Sequence, residues 1–555
     1  MMRFISMVLV LISVNAFAIN RTEQLNSFIK IWGVVKYMHP EASRGAYDMN
    51  KEFVEKYEQI TKGINQQEFE QNILSWIEHF DSKRNHYNTT QNQHIEIYAD
   101  YHWISNFGSP LQNKLKTIIN NDNTGDYYAK LRKMTSYVSL EDESKTFAFN
   151  QDIKSHQLLL LASFWNAMQF WNVNITLNDK AWNLVLEETV EQFESSKTTT
   201  DFERIKDNLL ANINDSHSDN LDISLVVNRM KYYPVFGGKI INDSLVITEI
   251  RDLPKAQVQG VALGDVVVGI DDMTVAAYIS KNFHLCSSNG SSIRARIQRI
   301  LLLASDKRTI KISLLKRESG LVVDKEIPLY EPSEINYTQA SLMPSSFLSS
   351  TYTSVNDEIG YINLQSITGK TLKKALTAFK DSKGIIVDLR THPANLVIRD
   401  IDHLVSDKKR FLKILAPVGP AKRAFQDDNI AEKIAGSAVV VYGKKESFKG
   451  IVVLLVDRGT QSKAEYLGAA IQQNDNCYTI GEQTSGAIMN SNHYQLLNGQ
   501  TFVFTNYMAM DVSGNYTLQR NGLKLDKALQ EHTLNYKPSL YIDEAIKYIQ
   551  TAAIE

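Results

Sequence analysis

Two stretches, Gly384-Ile385-Ile386-Val387-Asp388-Leu389-Arg390 and Ile451-Val452-Val453-Leu454-Leu455-Val456, are apolar almost without interruption and rich in β-branched residues. A strand alternates its side chains between two faces, so a run with no polar alternation has to be covered on both. The surrounding chain offers the cover. Leu372, Ala375, Leu376 and Phe379 share one helical face between a strand at 360–364 and the first run, and Ile542, Ala545, Ile546 and Ile549 share a face near the end. This alternation of strand and helix predicts an α/β unit over 341–555.

The remaining length divides by pattern. At 555 residues with 43% apolar content, two to four domains with real cores are expected. Residues 1–18 carry Arg3, an apolar stretch from Phe4 to Val14 and the small-x-small phrase Ala16-Phe17-Ala18. That is the layout of a cleavable export signal, and the run is too short to span a bilayer. A periplasmic or secreted protein with no stable membrane insertion is expected. A mixed, mostly helical part follows over 19–150. In it Ile31-Trp32-Gly33-Val34-Val35-Lys36-Tyr37, with Asp48 beyond, is echoed by Phe164-Trp165-Asn166-Ala167-Met168-Gln169-Phe170, with Lys180-Ala181-Trp182 beyond. The 151–225 segment opens with a helix whose Leu161, Phe164, Trp165 and Met168 fall on one face, and ends in the polar loop Asn212-Ile213-Asn214-Asp215-Ser216-His217-Ser218. The 226–335 segment alternates strands (245–250, 266–270, 310–315, 322–329) with turns and one helix over 293–304. Lys plus Arg (60) and Asp plus Glu (62) nearly balance, which gives no support for a nucleic-acid partner. No metal-ligand spacing or phosphate-cradling glycine loop is present, so no cofactor is expected. Cys286 and Cys477 are expected as free thiols.

The chemistry centres on the residues after the second apolar run. Its strand ends at Asp457-Arg458-Gly459-Thr460, and Ser462 opens a helix. A serine at that turn faces free helix amides and a partial positive charge, the setting an acyl-transfer nucleophile requires. Ser462-Lys463-Ala464-Glu465 is equally a capping box, and spacing alone leaves both readings open.

The wider phrase Val456-Asp457-Arg458-Gly459-Thr460-Gln461-Ser462-Lys463-Ala464-Glu465-Tyr466-Leu467, then Ile480-Gly481-Glu482-Gln483-Thr484-Ser485-Gly486 and Leu518-Gln519-Arg520-Asn521-Gly522, resembles the C-terminal-processing and tricorn-like serine peptidases. Ala262-Leu263-Gly264-Asp265-Val266-Val267, leading into Gly269-Ile270-Asp271-Asp272, resembles a bacterial PDZ domain. The resemblance implies a multidomain α/β fold with a ClpP/crotonase-like (ββα) peptidase core over 341–555, a PDZ-like insert over 226–335, a helical cap over 151–225 and a separate domain over 19–150. It implies Ser462 as nucleophile and a peptide or protein substrate. Where the processing design has its lysine this chain has Ala487, so the tricorn-like design is implied instead, with His217 as base and Ser216 as relay. Gln519 then stands where that design has a glutamate. It is expected to orient Ser216, and Gln519→Glu to leave activity equal or raise it. The oxyanion would be held by the Lys463 amide and by Ala394, and substrate backbone by Gly237 and Gly238. The same architecture with a disabled site would bind peptide or lipid without catalysis. An acyl-CoA enzyme of the crotonase kind is disfavoured by export.

Overall fold

The two apolar runs lie side by side in a six-stranded sheet ordered Tyr352–Asn356, Ile359–Asn363, Gly384–Asp388, Ile451–Val456, Cys477–Gly481 and Lys527–Ala528. The first pair is antiparallel and the others are parallel. The computed structural model describes residues 20–62, 65–81, 87, 97–98, 100–132, 135–218, 230–282, 286–288, 290, 292, 303–338, 340–341, 350–425 and 439–552. The export signal and most of the helix expected over 293–304 lie outside them. Ile385, Val387, Val452 and Leu454 pack under the helices Gly369–Ala378 and Lys463–Ile471. The alternate residues Ile386, Val453 and Leu455 pack against Ile542, Ala545 and Ile549 of Leu540–Ala552. Both faces are covered, as uninterrupted apolar strands require.

The echo noted between residues 31–37 and 164–170 is structural. Helices Arg21–Met38, Met49–Ile60 and Gln66–His79 recur as Lys154–Trp171, Trp182–Ser195 and Thr199–Ala211, each start shifted along the chain by the same amount. Trp32 Nε1 donates to Met49 O (2.8 Å) and Trp165 Nε1 to Trp182 O (2.9 Å), both acceptors 17 positions on. The copies pack on each other where Gly33 meets Asn166. A Cβ at Gly33 would lie 1.9 Å from Asn166 Oδ1, and Asn166 Nδ2 bonds both Ile29 O and Ala162 O at 2.9 Å. The segments 19–150 and 151–225, separated by pattern, thus share one apolar core. Lys154–Trp171 is buried nearly all round rather than on one face. The first copy covers one side, and the hairpin Ser491–Gln495/Thr501–Thr505 covers another through Tyr494 and Phe502 against Phe164.

Residues 236–341 form a separate antiparallel sheet with its own core around Phe236, Ile247, Val267 and Leu314. Its strand Phe236–Ile241 faces the α/β unit. Arg458 Nη2 donates to Ile240 O (2.7 Å), and Lys239 Nζ pairs with Glu482 (3.0 Å) and Glu531 (2.7 Å). Among the described residues neither cysteine forms a disulfide; Cys286 is buried and Cys477 partly so.

Candidate active site

The strand Ile451–Val456 delivers the chain into a turn pinned by its own polar side chains. Asp457 N donates to Thr460 Oγ1 (3.0 Å), Gly459 N to Asp457 Oδ1 (2.8 Å), and Thr460 Oγ1 to Leu389 O (3.1 Å). Ser462 follows at φ 57°, ψ −120°. A non-glycine residue held there stores roughly 1–3 kcal/mol, and such strain clusters at functional sites. Two backbone bonds hold it, Ser462 N to Ala487 O and Tyr466 N to Ser462 O, both 2.9 Å. The expected capping box does not form, because an N-cap serine needs extended φ/ψ to reach the helix amides. Ser462 makes no side-chain cap, which leaves its hydroxyl at the head of Lys463–Ile471. The Lys463 N–H, the first of that helix, has no acceptor among the described residues.

Glu465, the other half of the expected box, turns inward. It is fully buried and accepts from Thr484 Oγ1 (2.5 Å), Gly486 N (2.7 Å) and Ala487 N (2.9 Å), so it fixes the loop that pins Ser462. Burial outweighs these donors and pushes its carboxyl up to about 7. A carboxyl raised in the folded state binds a proton that the unfolded chain releases near pH 4.5, so its contribution is full below that value and is lost as pH rises through 7. Wild type is therefore expected to lose up to about 3 kcal/mol relative to Glu465→Gln between pH 4.5 and 7.5. Denaturant melts of both proteins across that range check it, and a pH-independent difference would refute it.

His217 sits in the polar loop, which is not a solvated surface: Asn214, Asp215, Ser216 and Ser218 are all buried. Asp215 organises it. Its Oδ1 accepts from His217 N (2.8 Å) and from Thr505 Oγ1 (2.9 Å), and its Oδ2 from Thr505 N (2.5 Å). Thr505 Oγ1 is also 2.8 Å from His217 Nδ1 and accepts from Gln519 Nε2 (3.1 Å). A hydroxyl has one hydrogen to give. Asp215, as a carboxylate, can only accept, so that hydrogen goes to it, and Thr505 must accept from His217 Nδ1–H. The imidazole is thereby held as the Nδ1–H tautomer, with its basic lone pair on Nε2.

This differs from the arrangement expected from the sequence. Gln519 reaches Thr505, not Ser216, and its Oε1 is buried without a partner. Ser216 Oγ lies 3.0 Å from Ser288 Oγ, and its carbonyl accepts from Gln461 Nε2 (3.0 Å). That last bond joins the residues immediately before His217 and Ser462, so the two loops meet there. The Ala394 amide donates to Gln365 O (3.3 Å), and the Ala394 carbonyl accepts from Lys463 Nζ (3.1 Å). In this conformation Ala394 N is engaged elsewhere. Gly237 and Gly238 lie on the strand Phe236–Ile241, and a Cβ at Gly238 would come 2.2 Å from Val246 O, so pairing with the neighbouring strand already requires glycine there. Of the other histidines, His392 stands near Lys463, whose charge adds to burial in lowering its pKa, and His493 is an exposed hairpin residue. His532 lies with Glu482 and Glu531 beside the Lys239 ion pairs.

Thr505 and Asp215 were missed from the sequence. Asp215 had a local signal, an acid two positions before a histidine in a turn. Thr505 had none, since it ends an alternating strand and reaches the site only through the hairpin fold.

A strained serine at a strand-to-helix turn thus lies beside a loop that carries a histidine in a fixed tautomer. Residues 358–529 match the model of peptidase family S41. No curated protein matches it in sequence. Similar solved structures include mature CPAF complexed with lactacystin (10% identity, TM-score 0.53, covering 71% of this chain and 97% of that one). They also include the photosystem II D1 C-terminal processing protease (16%, 0.35, 69% and 97%) and the tricorn protease (15%, 0.33, 76% and 38%). The first is a likeness of fold alone, and the other two add no argument to it.

Proposed function

We propose that the chain is an exported serine endopeptidase with a ClpP/crotonase-like core, in which Ser462 is the nucleophile and His217 the general base. The observation that carries this reading is the hydrogen count at Thr505, which leaves His217 Nε2 unprotonated. Nε2 takes the Ser462 Oγ proton as Oγ attacks a peptide carbonyl, and the proton then passes to the leaving amine. The negative oxygen of the tetrahedral intermediate is met by the Lys463 N–H at the helix terminus. Water, deprotonated by the same Nε2, releases the acyl group. Thr505 and Asp215 act as positioning residues through His217. The 236–341 sheet serves as a PDZ-like module that presents an extended or C-terminal peptide segment, with Gly237 and Gly238 on the strand nearest the core.

A serine-reactive phosphonate tests this directly. Wild type is expected to be labelled at Ser462, Ser462→Ala not at all, and His217→Ala at a rate lower by about 10²-fold or more. No labelling of folded wild type would mean that the architecture binds peptide or lipid without cleaving it.

A further inference from the structure

The second helical copy differs from the first at one position that bears on ligand binding. In the first copy the helix Met49–Ile60 is capped by Asp48, whose carboxylate accepts from Asn50 N and Lys51 N at 3.1 Å each. In the second copy the cap position of Trp182–Ser195 is Ala181, which has no side chain to offer, and the Asn183 N–H has no acceptor among the described residues. The helix start opens on a cavity of about 780 Å³, large enough for a small organic ligand.

Arg423 lines the same cavity. It is 95% buried by its 5% relative exposure, and among the described residues no carboxylate pairs with it. Among the described residues its guanidinium bonds only backbone carbonyls: Lys422 O (3.2 Å), Gln169 O (3.4 Å) and Asn172 O (3.5 Å). Burial lowers its pKa to about 10, still well charged at neutral pH. A buried charge without a counter-ion is costly and attracts an anion. Beside these groups the wall is apolar, with Val173, Ile175 and the Trp182 ring. The acid on the lining, Asp100, is exposed and bonded to His102 N (2.8 Å), and its charge acts on Lys30 rather than Arg423. Lys180 on the lining is paired outward with Glu188 (2.6 Å).

We propose that this cavity binds a small carboxylate with an apolar body, the carboxylate taking the place at the helix start that Asp48 fills in the first copy. It is separate from the peptidase site. The two share a wall, because Asn174 in the loop flooring the cavity donates to Thr505 O (3.1 Å) and Tyr507 O (3.2 Å).

Isothermal titration of the full chain tests it, with N-acetyl-leucine and octanoate as probes and N-acetyl-leucinamide and octanamide as their neutral counterparts. Both acids are expected to bind saturably, and both amides at least about 10-fold more weakly. Arg423→Met and Ala181→Asp should each weaken the acids by a similar factor. Ala181→Asp should also raise Tm, since it supplies the missing cap from within, and Arg423→Met should not lower it. Tighter binding of N-acetyl-leucine would identify a peptide C-terminus as the ligand's source, and tighter binding of octanoate an alkanoic acid. The proposal is overturned if neither acid saturates, if the amides bind as tightly, or if either variant, folded by its Tm, binds like wild type.

Discussion

Ser462→Ala and His217→Ala are each expected to lower kcat for a peptide substrate by roughly 10⁴–10⁶, and the double variant by little more, because nucleophile and base act as one unit. Steady-state turnover of a fluorogenic peptide, with active-site titration to exclude contaminating peptidase, measures it. Unchanged turnover in either single variant removes that residue from the mechanism. The backbone at Ser462 adds a stability readout of opposite sign. Its φ of 57° is one that glycine adopts freely and an L side chain does not. Ser462→Gly should therefore abolish turnover yet raise stability by about 1 kcal/mol, while Ser462→Ala, which keeps the Cβ, should not gain. A serine retained only as a helix cap would show the reverse, since losing a cap costs about 1 kcal/mol. Here the side chain makes no cap bond to lose.

What was legible in the sequence followed from local rules. The strands 266–270 and 451–456 stand at their predicted bounds, since apolar runs closed by turn residues leave little room for another register. Ser462 and His217 stand out in the sequence through the phrases around them, and the structure places their loops in contact at Gln461 and Ser216. What was not legible depends on distance in the chain. Hydrogen bonding at Asp215 spans 290 positions to Thr505, and no periodicity or motif encodes which hydroxyl a hairpin returns to a loop. The loop is polar in sequence yet buried, because its groups find partners there, Ser218 Oγ on Val503 O (2.5 Å) and Asp215 N on Ser287 Oγ (3.1 Å) among them. The capping box failed for a related reason. A sequence pattern carries residue types but not φ, and the positive φ at Ser462 takes its hydroxyl away from the helix amides.

Thr505→Val is expected to lower kcat/KM by about 10²–10³ and Asp215→Asn by about 10²–10⁴, with Thr505→Ser within a few-fold of wild type. Valine matches threonine in shape but leaves His217 Nδ1–H without an acceptor, so the imidazole is free to take the other tautomer, with Nε2 protonated and useless as a base. In a direct triad an acid-to-amide change of this kind costs about 10⁴ through the tautomer, and an interposed hydroxyl should make the loss smaller. Asparagine at 215 does further harm, because the carboxylate accepts three bonds from protein donors, and an amide NH2 would face at least one of those hydrogens. The same count reverses the expectation for Gln519. Its amide donates to Thr505 Oγ1, whose only hydrogen is already given to Asp215, so a glutamate at 519 would bring lone pairs to an oxygen with nothing to offer and set a second negative charge beside Asp215. Gln519→Glu should therefore lower kcat/KM by about 10-fold, and Gln519→Leu, which only removes a donor, by a few-fold. The pH profile of kcat/KM separates positioning from simple misfolding: Asp215→Asn removes the charge that favours the imidazolium, so its acid limb should move to lower pH, while Thr505→Ser should keep the wild-type limb. If Thr505→Val were silent and Gln519→Leu inactivating, His217 would be oriented through Ser216 after all, and the Thr505 relay would be a packing contact.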